Sequence, residues 1–221
     1  MAEPSTEKPA VQSLIHTLKM QSHIEGGYFV ETDRDPALVP NPFHPSTDAI
    51  YRSTQARLAA LNPTVALYMS TVFPSDNDND TTRNASTTIF YLVTEKSPMG
   101  AFHRNKARTV HTLHRGRGRY VLIHADEAEL SGGKARIETF VVGQNVEKGE
   151  RLQWIVEGGK YKCSYLLPDE EGGDSSNGLL ISETVVPGFD YKDHDFCPME
   201  RFRQLVTEEQ AKEMEWMIRK T

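Results

Sequence analysis

Gly100-Ala-Phe-His-Arg-Asn-Lys-Ala-Arg-Thr-Val-His-Thr-Leu-His-Arg-Gly-Arg-Gly-Arg-Tyr-Val-Leu-Ile123 crowds three histidines and five arginines into one segment. Apolar and β-branched residues bounded by turn formers predict strands at 100–103, 109–113 and 119–124, with Gly116-Arg-Gly118 as a turn between the last two. Histidines clustered on neighbouring strands supply groups that change charge near neutral pH, and the stretch reads as the wall of a small-molecule pocket.

The same rhythm continues on both sides. Runs at 87–94, 135–142, 152–156, 161–166 and 179–186 are rich in Val, Ile, Thr and aromatic residues and are separated by Gly-rich or acidic turns. Many short strands at such spacing predict an all-β fold, an antiparallel sandwich or barrel. Val11, Leu14, Ile15 and Leu18 recur at helical spacing, so a short amphipathic helix precedes a first strand at 27–33. Residues 1–10 are polar and proline-broken and are expected to be a disordered tail. A long surface insertion is expected over about 35–86, with a helical fragment at 54–61 and a strand at 64–73. Its acidic run at 74–81 lacks the Gly and terminal Glu of an EF-hand, so calcium is not expected there. At the other end, Thr207-Glu-Glu-Gln210 is a capping box between two short apolar-faced segments, predicting two closing helices.

At 221 residues the chain is expected to form one domain over 11–221. A net charge of −6 and a pI near 5.8 argue against nucleic acid or an anionic membrane as partner. With no apolar run of about 18 residues and no leader pattern, the expectation is a cytoplasmic protein with Cys163 and Cys197 as free thiols.

The spacing from Thr109 to Gly116, taken with Ile24-Glu-Gly-Gly-Tyr-Phe29, Phe102-His-Arg-Asn-Lys106, Val156-Glu-Gly-Gly-Lys-Tyr-Lys162 and Val185-Val-Pro-Gly-Phe-Asp190, resembles the fungal branch of a cupin family of unknown function. That family is similar to the sugar-nucleotide epimerase type of cupin. The resemblance covers roughly residues 11–205 and implies a jelly-roll barrel, a homodimer and a small-molecule ligand. In metal-binding cupins, His-x-His, a glutamate and a later histidine hold the ion. The matching positions here are Ala101, His103, Thr109 and Lys162, so one ligand of four remains and neither metal nor other cofactor is expected. A substitute set of His103, His111 and His114 is weakened by the odd spacing of the last two, which sends them to opposite faces of a strand.

If Thr109 faces the barrel, strand periodicity puts His111 inside with it, and His103 lies across the turn. Two neighbouring imidazoles would depress each other's pKa values, leaving one neutral as a base. Glu183 sits in an otherwise apolar strand and needs a partner, for which Lys162 is the candidate. Lys162 has a second reading as solvent-facing, because Tyr161, Cys163 and Tyr165 form the apolar phase of its strand. Arg104, beside His103, is a candidate ligand contact, while Arg115, Arg117 and Arg119 read as an exposed face. Glu25 and Tyr28 flank a glycine pair that permits close backbone approach; the resemblance to epimerase-type cupins motivates Tyr28 as an acid opposite the histidine base.

The expected function is therefore a metal-independent isomerase or epimerase acting on a small polar or anionic molecule. His103 is the expected general base, with His111, Tyr28 and Glu183 as further catalytic residues and Glu25, Arg104, Thr109 and Lys162 binding substrate. A non-catalytic ligand-binding or storage cupin and a metal-dependent cupin with irregular ligands are the alternatives.

Overall fold

Apolar and polar residues alternate poorly along several strands because helices cover part of the outer face of each sheet. The computed structural model of the chain describes residues 7–44, 80–169 and 177–220. The expected helical fragment at 54–61, the strand at 64–73 and most of the acidic run at 74–81 lie outside those residues.

Helix α1 (Pro9–Thr17) leads into β1 (Gln21–Ser22), β2 (Tyr28–Arg34) and β3 (Leu38–Pro40). The chain continues through β4 (Thr82–Asn84), β5 (Thr87–Val93), β6 (Met99–Asn105), β7 (Arg108–Arg115) and β8 (Gly118–Ile123). Helix α2 (Ala125–Ser131) precedes β9 (Ile137–Val142), β10 (Gln153–Val156), β11 (Tyr161–Leu166), β12 (Leu179–Val186) and β13 (His194–Phe196). Helices α3 (Met199–Leu205) and α4 (Glu208–Met214) follow. One sheet runs β1-β2-β5-β12-β7-β10 and the other β13-β6-β11-β8-β9, with all pairings within them antiparallel; β3 and β4 form a separate ribbon.

Three apolar layers follow from this order. Between the sheets lie Tyr91, Val93, Leu113, Tyr120, Leu122, Phe140, Trp154 and Ile181. Outside the second sheet, Phe102, Val121, Ile123, Tyr161 and Cys163 meet Phe202, Leu205, Met214 and Met217 of the C-terminal segments. Outside the first sheet, α1 places Val11, with Leu14 and Ile15, on Leu92 and Leu180. Each fully buried side chain of this size contributes roughly 1.5–3 kcal/mol by leaving water. Two sheets packed face to face, with helices against part of each outer face, make the β-sandwich that the strand rhythm predicts.

Several boundaries differ from expectation. Helix α1 begins at Pro9, inside the expected tail, because proline is preorganised for the first turn of a helix and has no N–H to lose there. Glu7 is also held, accepting hydrogen bonds from Tyr28 Oη and Thr94 Oγ1 at 3.2 and 2.6 Å. α2 and β13 are short elements without a sequence periodicity long enough to predict them. The capping box at α4 is present in full, with the Thr207 and Gln210 side chains each bonding the other's backbone N–H. Cys163 and Cys197 are buried free thiols. No described helix is long and apolar enough to cross a membrane.

Candidate functional site

The lumen between the sheets is not filled at one end. A cavity of about 230 Å³ remains there, with Phe29, Ile89, Tyr91, Val185 and Phe189 as its apolar lining and His23, Glu25, His103, Lys162 and Glu183 among its polar groups. Strand register delivers these side chains. His103 on β6 pairs with Lys162 on β11, and Glu183 on β12 pairs with His111 on β7. Phe102 points into the outer layer while His103 takes the lumen phase of β6, as alternation requires.

Glu25 arrives by a different device. The Glu25-Gly-Gly turn carries Gly26 at φ 110° and Gly27 at φ 70°, and a Cβ at Gly26 would stand 2.1 Å from the Met99 carbonyl oxygen. Only glycine lets this turn press onto β6, where Ala101 N–H donates to the Glu25 carbonyl at 2.8 Å. Tyr91 Oη donates to the Gly26 carbonyl at 2.8 Å and completes the fastening.

Two polar clusters result. In the first, Glu25 Oε1 stands 2.8 Å from His194 Nε2, and Glu25 Oε2 stands 3.2 Å from His103 Nε2 and 3.4 Å from His23 Nδ1. The imidazoles of His103 and His194 stack with centroids 5.4 Å apart. Side-chain exposure is only 9% for Glu25, 8% for His103 and 5% for His194, so water contributes little screening. In the second, Lys162 Nζ donates to Glu183 Oε2 at 2.6 Å and to His111 Nε2 at 3.0 Å. His111 stacks on Trp154, centroids 5.1 Å apart, which fixes the ring.

Burial and charge set the protonation states. Burial pulls the His103 pKa down to about 4, against the opposing pull of Glu25. Burial also works to raise the Glu25 carboxyl, but His103, His194 and His23 outweigh it and hold it well below the usual carboxylate range. Glu183 is likewise held far down by Lys162 and His111 against its burial. His111 is lowered by burial and by the Lys162 charge. An ammonium carries three N–H groups, and Lys162 commits two of them, which leaves one for a ligand.

The sequence-derived candidates divide accordingly. Glu25, His103, Lys162 and Glu183 line the cavity, and His111 stands directly behind Lys162. The solvent-facing reading of Lys162 is corrected: the side chain is buried, because helices cover the outer face of its sheet and the polar phase is the one that turns inward. Thr109 is buried on β7 in the same phase as His111 but does not line the cavity. Tyr28 is a correction: it belongs to the outer layer under α1 and bonds Glu7, while its neighbour Phe29 takes the lumen. Arg104 is another correction. It follows His103 on a strand and so faces outward, where it bonds Asp195 at 2.8 Å and covers the Tyr161 ring. His103 does neighbour a second imidazole, but the partner is His194, not His111. His114 is exposed on the outer face against Phe90.

His194 and His23 are the cavity-end residues that sequence reasoning misses. His194 lies in β13, three residues long, within Tyr191-Lys-Asp-His-Asp-Phe196. Its place is set by pairing to β6 and by its neighbour Asp193, which accepts from buried Arg83 Nε at 2.8 Å. The one available signal was a lone histidine just after the Val-Pro-Gly-Phe-Asp motif.

Comparison with known proteins agrees with this architecture. Over 216 residues the chain is 38% identical to "Uncharacterized protein YML079W" of Saccharomyces cerevisiae, covering 97% of this chain and 89% of that protein. Among solved structures, a hypothetical protein from Leishmania major superposes with a TM-score of 0.67 at 24% identity, covering 95% of this chain and 98% of that one. Protein SO0799 from Shewanella oneidensis gives 0.60 at 18% identity, covering 95% and 96%. The family described as "Cupin superfamily (DUF985)" matches residues 12–197, and with the two-sheet lumen, its cavity and these relatives in place, the chain belongs to that family of cupins.

Proposed function

We propose that this small-molecule-binding cupin is an enzyme that shifts a proton on a small polar or anionic molecule held in the lumen, by isomerisation, epimerisation or a related elimination. The observation that carries the reading is the convergence of two buried ionisable clusters on one cavity, Lys162–Glu183–His111 and Glu25–His103–His194. Buried charge of this kind is costly to maintain and concentrates where chemistry needs it. The uncommitted N–H of Lys162 holds the anionic or carbonyl oxygen of the ligand, with Phe29, Ile89 and Val185 against its carbon skeleton. The Glu25–His103–His194 cluster is the reactive end, where the charge that develops on the ligand is met.

His103 acts in this reading as part of the cluster and not as a lone base: its Nδ1 meets the Ala101 carbonyl at 2.8 Å and its Nε2 faces Glu25 at 3.2 Å. The cluster therefore acts as a unit. We carry a homodimer, implied by the family resemblance, as part of the proposal; light scattering tests it.

The test is a thermal-shift screen of small organic acids and sugar derivatives against the full chain, followed by proton NMR of each hit in D2O. A ligand C–H that exchanges with solvent deuterium, or converts, in wild type but at least 100-fold more slowly in Glu25→Gln supports the reading. Tight binding with no exchange or conversion for every hit refutes it and leaves a non-catalytic binding protein.

A further inference from the structure

We propose that Glu25, His103 and His194 form a binding site for one divalent transition-metal ion, with a Glu25 carboxylate oxygen and the two Nε2 atoms as ligands. The three donor atoms lie within 4.8 Å of one another, so small side-chain shifts bring all three to about 2.0–2.2 Å from a shared ion. Two imidazole nitrogens and a carboxylate oxygen suit first-row ions such as zinc, iron, manganese or cobalt.

Hydrogen bonding orients the cluster. An imidazole nitrogen 2.8 Å from a carbonyl oxygen carries the hydrogen, so His103 Nδ1 donates to Ala101 and Nε2 is the ring nitrogen turned to Glu25 Oε2, at 3.2 Å. A cation between the two takes a donor atom from each. The Nδ1–H to carbonyl bond is also the outer-shell arrangement that orients histidine ligands and raises their donor strength.

The ligands are held from three separate elements. Glu25 is fixed by the glycine turn on β6, His103 by β6 itself, and His194 by β13 and the Arg83–Asp193 ion pair. Two of the three, Glu25 and His103, open on the cavity, so one side of the ion stays free for a ligand, as catalytic sites with three protein donors require. Nearby Lys162 does not repel the ion as a lone charge would, because Glu183 at 2.6 Å neutralises it. Only His103 is shared with the metal motif of other cupins; Ala101, Thr109 and Lys162 contribute no donor here. The inference deepens the function proposed above and rests on it for one point, that the free side of the ion meets the ligand's oxygen. Occupancy of the site stands apart from that reading.

The experiment uses the full chain stripped with a chelator and then titrated with Co2+, read by visible d–d absorption and by elemental analysis after desalting. One Co2+ per chain, with affinity at least 100-fold weaker in His194→Ala and in Glu25→Gln but unchanged in His114→Asn, is expected. Circular dichroism of each variant establishes that it is folded, and Zn2+ should raise the wild-type melting temperature, a readout that needs no variant. Substoichiometric binding to stripped wild type, or binding unchanged in a folded His194→Ala protein, overturns the cation site. Full turnover by stripped protein that takes up no Co2+ does so too, yet leaves the proton-transfer reading standing. Stoichiometric Co2+ without turnover of any ligand sinks that reading and leaves the cation site in place.

Discussion

Glu183→Gln removes the counter-charge of a lysine that has almost no water. Lys162 and Glu183 side chains are 4% and 10% exposed and their charged atoms stand 2.6 Å apart. Coulomb's law at an effective dielectric of about 20 gives an attraction of roughly 6 kcal/mol at that separation, most of it offset by the cost of desolvating both ions. Removing one partner restores none of that cost, because the ammonium is left with only neutral His111, so the variant should lose about 3–5 kcal/mol of stability. For a chain of this size that is a fall in melting temperature of roughly 6–20 °C. Lys162→Met combined with Glu183→Leu removes both ions and should be far less harmful, close to neutral or mildly stabilising. The pH dependence carries a defined sign. Glu183 is held well below its ordinary 4.5, so its contribution is complete above about pH 4.5 and drains away as pH falls further. Glu183→Gln should therefore flatten the acid side of the stability curve. Guanidinium unfolding, followed by circular dichroism and by Trp154 fluorescence at several pH values, measures all of this. A Glu183→Gln loss below about 1 kcal/mol, or a double variant as damaged as the single, would refute the claim that the pair is desolvated.

Other expectations are more local. Arg104→Ala should leave affinity for any lumen ligand within about twofold of wild type in calorimetry, since the guanidinium lies on the outer face with Asp195; a tenfold loss would return it to the site. A Cβ at Gly100 would stand 2.4 Å from Tyr91 Oη, so Gly100→Ala should cost about 1–3 kcal/mol and loosen the Glu25 turn, seen as faster hydrogen exchange at Ala101 N–H. Burial raises the pKa of Cys163 well above its usual value and that of Cys197 to about 12. Both thiols should resist a disulfide-exchange reagent at pH 8 and react fully only on denaturation.

Local chemistry made much of this fold legible. Tyr161–Leu166 and Leu179–Val186 are strands because β-branched and aromatic residues fill them, and the α4 capping box is written in four adjacent residues. His103, Glu183 and Lys162 stood out because an ionisable group in an apolar strand demands a partner. Alternation should have separated Arg104 from His103 at once, since neighbours on a strand face opposite ways. Tyr28 and Lys162 were harder. Where helices cover the outer face of a sheet, apolar residues occupy both phases, and the period of two no longer tells inside from outside. His194 depended on a pairing of three residues with a strand some ninety positions earlier, and no short-range pattern encodes it.

Glu25 and His194 meet across 169 residues of chain, one before the first long strand and the other in the last. A polypeptide emerging from the ribosome can therefore pair strands and bury aromatic side chains long before Glu25 and His194 meet, and loop closure over so long a span comes late. The cluster is thus assembled last: a nascent or prematurely terminated chain that stops short of β13 holds Glu25 and His103 without His194. An assay of the Glu25–His194 contact therefore doubles as a reporter that synthesis has passed β13.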